Sequence, residues 1–127
     1  MKKVLLILAM VSLVGCKPSA DKAVELGKKE ISADVRDPDS VKFRYLRFIQ
    51  TEQSPEGATV GYVCGQINGK NGFGAYEGFS PFIMKISMKP KGMFSTSVSY
   101  YVTDKKIYTR FSEPVPASYR EKCGADE

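Results

Sequence analysis

The chain has 127 residues, 43% of them hydrophobic, with 19 Lys and Arg against 14 Asp and Glu for a formal charge of +5. That length holds one small domain with a core of its own. Histidine is absent, which removes the commonest general base and the commonest zinc ligand, and so small a charge gives little support to a polyanion partner such as nucleic acid.

Lys2 and Lys3 precede an uncharged apolar run from Val4 to Val14. The run has the length of a signal-peptide core and falls short of the roughly 18 residues a spanning helix needs. It ends in Leu13-Val14-Gly15-Cys16, which resembles the lipobox of bacterial lipoproteins. The resemblance covers residues 1–16 and implies that residues 1–15 are a cleaved signal, with Gly15 in the small-residue subsite of the peptidase. It also implies that Cys16 carries a diacylglyceryl group on sulfur and an acyl group on its new amine. Residues 16–19 are then a lipidated tether and 20–127 the single folded domain. An anchor of two or more chains holds a protein at a membrane stably. Lys17 stands where enteric-type sorting uses an aspartate for inner-membrane retention, so the expected site is the outer membrane, facing the periplasm. In a Gram-positive source it would be the outer face of the plasma membrane. The alternative is an ordinary secretory signal followed by a free thiol, although Val14 interrupts the small-x-small end such signals favour.

Processing removes two of the basic residues, so the mature chain is barely basic. With Cys16 assigned to lipid, the odd count of three cysteines leaves Cys64 and Cys123 as a pair in an oxidising compartment, where a disulfide is expected. Buried free thiols and a redox pair are the alternatives, and the redox reading lacks C-x-x-C spacing. No cofactor is expected beyond the lipid itself.

In the mature chain, Ser19 can cap a helix in which Ala20, Val24, Gly27, Ile31 and Val35 form an apolar line. Both signs of charge on its polar face favour packing on a sheet over lying on a membrane. Asp37-Pro38 ends it. Val41 to Gln50 reads as a strand whose apolar phase switches between Tyr45 and Leu46, which asks for a bulge or for burial on both faces. Ser54-Pro55-Glu56-Gly57 is a turn, returning into a strand from Ala58 to Asn68 in which Val60, Tyr62 and Cys64 share a face. Further strands are expected over 82–88 and 94–102, a turn over Thr103 to Lys106, and a short strand over Lys106 to Phe111. After Pro114 and Pro116, Ala117 to Cys123 reads as a short helix pinned to the second strand by the cysteine pair. The predicted class is α+β: an N-terminal helix packed on an antiparallel sheet of about four or five strands, with a short C-terminal helix.

No catalytic constellation stands out, and a non-enzyme is expected. Asp34, Asp37 and Asp39 are the one close carboxylate cluster, and their places at a helix end and before a strand suit capping and turns better than calcium. The informative segment is 63–82, VCGQINGKNGFGAYEGFSPF. It is rich in glycine, with Phe73, Tyr76, Phe79 and Phe82 each three apart. Gly65 to Lys70 lacks the spacing and the Ser or Thr of a phosphate loop. Either the rings fold into the core, or Lys70, Asn71, Phe73, Tyr76, Glu77 and Phe79 form an exposed recognition loop.

DPDSVKFR (37–44), VCG (63–65) and NGKNGFGAYEGF (68–79) resemble a pattern in small secreted proteins of bacteria and phages. That resemblance spans roughly residues 37–82 and implies one domain and no activity. Anchor, small domain and disulfide together suggest a non-catalytic envelope module with a protein partner, of the immunity, inhibitor or phage-exclusion kind. A small-ligand carrier with an aromatic-lined pocket is the alternative.

Overall fold

The computed structural model describes residues 20–92, 97–108 and 116–127. The signal segment, Cys16, the tether with Ser19, the start of the strand expected at 94, residues 109–111 and Pro114 lie outside them. The elements in order are helix α1 (Ala20–Ser32), a 3-10 turn (Pro38–Ser40), strands β1 (Lys42–Gln53), β2 (Thr59–Asn68), β3 (Ser80–Pro90) and β4 (Val98–Ile107), and helix α2 (Ala117–Cys123). The four strands form one antiparallel sheet in the order β1-β2-β3-β4. This is the expected α+β architecture, with a helix on each face.

One face is dry because α1 covers it. Ala23, Leu26 and Ile31 pack onto Val63, Phe82 and Met84. The buried stripe of α1 is therefore Ala23, Leu26, Gly27 and Ile31, whereas Ala20 is exposed and Val24 only half-buried. The expected line through Ala20 and Val24 is rotated by about one position, because Leu26 and not Val24 reaches the sheet. Gly27 allows the close approach, since a Cβ there would lie 2.6 Å from a Val63 methyl.

The opposite face is smaller. Cys64 and Ile83 from the sheet meet Tyr108, Tyr119 and Cys123. The Cys64 and Cys123 sulfurs stand at bonding distance, 2.04 Å, with Cα atoms 5.9 Å apart, a disulfide-capable pair that sets α2 against β2. Val60, Tyr62 and Cys64 share this face by strand alternation.

The phase switch in β1 is a bulge between Arg44 and Arg47, where the pairing with β2 slips. Tyr45 takes φ 56° there, a conformation that non-glycine residues adopt at some cost. The Arg47 Nη1 donates to the Tyr45 carbonyl at 2.7 Å. The turn at 54–57 forms as expected, with Ser54 N donating to Ala58 O and Gly57 N to Ser54 O.

The turn expected over Thr103 to Lys106 is not a turn. β4 runs unbroken through it, and the register slips opposite Lys85 and Ile86, leaving Thr103 as the extra residue of a bulge. The pairing partners on β3 continue on both sides, so one inserted residue is absorbed without reversing the chain. The short strand expected from Lys106 is thus the end of β4.

Candidate functional site

Between β2 and β3 the chain makes a small hairpin, closed by an antiparallel bridge between Lys70 and Tyr76. Its tip is organised by Asn71. The Asn71 backbone N–H donates to Ala75 O at 2.8 Å and Gly74 N–H to Asn71 O at 3.0 Å. The Asn71 Oδ1 accepts from Phe73 N–H at 2.9 Å and Ala75 N–H at 3.1 Å, an Asx-type turn. Its Nδ2 donates to Glu77 Oε1 at 2.9 Å. Gly74, at φ 76°, supplies the left-handed residue that this tight reversal needs. Asn68 holds the returning strand by accepting from Gly78 N–H at 3.2 Å.

The hairpin is bound to the segment just before β1. The Ser40 hydroxyl accepts from Lys70 N–H at 3.2 Å and donates to Asp37 O at 2.8 Å. The Tyr76 hydroxyl donates to Ser40 O at 2.6 Å. Lys42 Nζ sits 4.6 Å from the centre of the Tyr76 ring and Lys70 Nζ 5.7 Å from it. The Arg44 guanidinium lies 3.9 Å from the centre of the Phe79 ring. The segments 37–44 and 68–79, separate in sequence, are therefore one surface.

The four rings spaced three apart divide by depth. Phe82 is fully buried, Phe79 is half-buried beneath Arg44, and Tyr76 is 37% exposed between two lysines. Phe73, at the tip, is 97% exposed. The core thus claims Phe82 and the surface Phe73. At the foot of the hairpin a cleft of about 340 Å³ is lined by Val35, Ile67 and Ile107 on its apolar side and by Arg36, Lys70 and Glu77 among its polar groups. Among the described residues, Phe79 is the one aromatic ring in that lining. Among the described residues, neither Arg36 nor Lys70 pairs with a carboxylate.

Lys70, Asn71, Phe73, Tyr76, Glu77 and Phe79 are thus brought together as a unit, and Cys64 and Cys123 as a pair elsewhere. Sequence reasoning missed Ser40, Lys42, Arg44 and Arg36 as members of the site. Alternation in β1 marked Lys42 and Arg44 as outward, but no local signal placed them beside rings some 35 residues away. Among the described residues, no group of three His, Cys, Asp or Glu could hold a metal ion. Asp34 pairs instead with Lys105 at 2.9 Å.

A second polar assembly fixes the C-terminus. Arg47 donates to Cys123 O at 3.0 Å and Gly124 O at 3.3 Å, and pairs with Asp126 Oδ1 at 2.8 Å. Tyr119 Oη donates to that carboxylate at 2.7 Å, and Gln66 Nε2 to its other oxygen at 2.8 Å. Gln66 Oε1 in turn accepts from Arg44 Nε, so this assembly is continuous with the hairpin. Burial alone pushes the Asp126 carboxyl up. The hydrogen bonds from Tyr119, Gln66 and Arg47, with the guanidinium charge, more than reverse it and hold the group below its usual value. Burial, then the bond to Asp126, pushes the Tyr119 hydroxyl well above its ordinary value.

No family model, curated protein or solved structure matches this chain.

Proposed function

We propose that the chain is a lipid-anchored envelope lipoprotein whose 68–79 hairpin binds a protein partner without catalysis. Lipidation of Cys16 and residence at the periplasmic side of the outer membrane rest on the resemblance of Leu13 to Cys16 to a lipobox and on Lys17. The observation that carries the binding role is Phe73, a large apolar ring 97% exposed on a hairpin held by hydrogen bonds at its tip, base and flank. A mobile exposed ring would lose entropy on binding. A ring on a fixed turn loses less, which is how preorganised loops gain affinity. The build is that of immunity proteins, inhibitors of wall-degrading enzymes or phage-exclusion lipoproteins, an architectural analogy only.

The cleft at the foot of the hairpin favours the second reading, a carrier of a small ligand. With Phe79 the single ring among its described lining residues, it is less than the aromatic-lined pocket a carrier calls for.

A photo-crosslinking side chain at position 73, in the acylated protein in living cells, tests the reading, with position 56 as control. Binding through the hairpin predicts a discrete protein adduct from position 73 and none from 56. No adduct from 73, or the same adducts from both, contradicts it.

A further inference from the structure

The orientation of α1 says which way the hairpin points. Gly27 abuts Val63 in the middle of β2, whereas Val35 lies against Gly69 and Arg36 against Gly72. The helix therefore runs toward the hairpin, and its start lies at the other end of the sheet. Ala20 is seven helical residues, about 10 Å, before the contact with Val63. Gly69 is six strand residues, about 20 Å, beyond that contact. The 54–57 turn, leading into β2 at Thr59, shares the end where α1 begins. If Cys16 is acylated, the chain from it to Ala20 reaches at most about 14 Å, which keeps the start of α1 close to the bilayer.

We propose that Phe73, Arg36 and Lys70 form a membrane-distal docking surface for a protein that offers an apolar pocket rimmed by carboxylates. The proposal rests on the lipid-anchor reading for its orientation and on charge for its partner. Phe73 is the apolar anchor, and rigid aromatic anchors at the centre of a patch carry most of the energy of protein interfaces. Arg36 lies against Gly72 beside it and Lys70 over the Tyr76 ring, both without carboxylate partners among the described residues, and Glu77 is held by Asn71. Asp37, just before the adjoining 3-10 turn, and Asp39 within it make no ion pair either among the described residues. Unpaired cations at the rim steer and orient an acidic partner. The anchoring bilayer is the wrong occupant because the hairpin is at the far end from it.

The chain has no tryptophan, so Phe73→Trp and Glu56→Trp each install a single reporter, one at each end of the sheet. Acylated protein, verified by mass, is placed in phosphatidylcholine vesicles with or without dibrominated acyl chains. Dibrominated lipid should quench Glu56→Trp more strongly than Phe73→Trp, which lies at the far end of the sheet. Titration with a glutamate–tyrosine copolymer should then shift the emission of Phe73→Trp. That affinity should fall at least about tenfold, or 1.4 kcal/mol, in the background of Arg36→Glu with Lys70→Glu. A lysine–tyrosine copolymer and dextran sulfate should bind at least tenfold more weakly.

Quenching of Phe73→Trp as strong as that of Glu56→Trp overturns the orientation and makes the hairpin a membrane-contact element. Copolymer binding that ignores the charge reversal, or is matched by dextran sulfate, overturns the partner chemistry. An unacylated mass defeats the anchor reading and the orientation together, while the titration still decides the docking chemistry by itself.

Discussion

The Tyr76 hydroxyl donates to the Ser40 carbonyl at 2.6 Å, across 36 residues of sequence. With the Ser40 hydroxyl receiving Lys70 N–H, it ties the 68–79 hairpin to the edge of the domain. Tyr76→Phe removes the donor and keeps the ring. The expected cost is about 1 kcal/mol, with faster hydrogen exchange at Lys70 N–H and little change in the exchange of the β2 and β3 core. Unchanged exchange at Lys70 would show that the hairpin holds its shape without the tie.

Phe73 is 97% exposed and buries almost nothing. Phe73→Ala should shift the urea midpoint by no more than about 0.5 kcal/mol equivalent while abolishing binding of a fluorescently labelled glutamate–tyrosine copolymer, with the label on the copolymer as the readout. A large loss of stability would place the ring in packing instead.

Asp126 makes the C-terminal assembly sensitive to acid. Its carboxyl is held below the usual value in the fold, so its contribution is complete above the unfolded value of about 3.9 and is lost as pH falls through the lower folded value. Asp126→Asn should flatten that acid limb of a stability profile. At the alkaline end Tyr119 works in the opposite sense, for its raised hydroxyl contributes fully below about pH 10 and less as pH rises beyond it. Tyr119→Phe should flatten that limb.

Gly27 lets α1 lie close against β2, and Gly27→Ala should cost about 1–3 kcal/mol by overpacking against Val63, although alanine is the better helix former. Val63→Ala in the same chain should recover part of that loss. Strict additivity of the two, read from denaturant midpoints, would show that the close contact is not what glycine provides.

Much of this fold can be read locally. Alternation found the strands, the phase switch at Leu46 asked for a bulge or two-sided burial and the bulge is seated on Tyr45, and the prolines before Ala117 framed α2. Two features could not be read in this way. The turn chemistry of Thr103 to Lys106 was overridden because β3 pairs on both sides of it, which is a fact about β3 and not about those four residues. The buried stripe of α1 depends on which side chain finds room against Val63, so a helix with Val24 and Leu26 both apolar offers two nearly equal faces. The site was legible in the same uneven way. Glycine and spaced rings marked 68–79 as unusual, but only the fold shows that Phe82 belongs to the core and Phe73 to the surface. Arg36 and Ser40 join the site through contacts made across the end of the sheet, which leave no trace in local composition.

The central claim, a lipid-anchored envelope protein with its one cysteine pair oxidised, is tested most directly by the intact mass of the membrane-extracted chain before and after reduction. The account predicts a chain beginning at Cys16, heavier by a diacylglyceryl and an acyl group, that gains the mass of two hydrogens on reduction as Cys64 and Cys123 separate. A chain that retains residues 1–15, or that carries no acyl group, would contradict it.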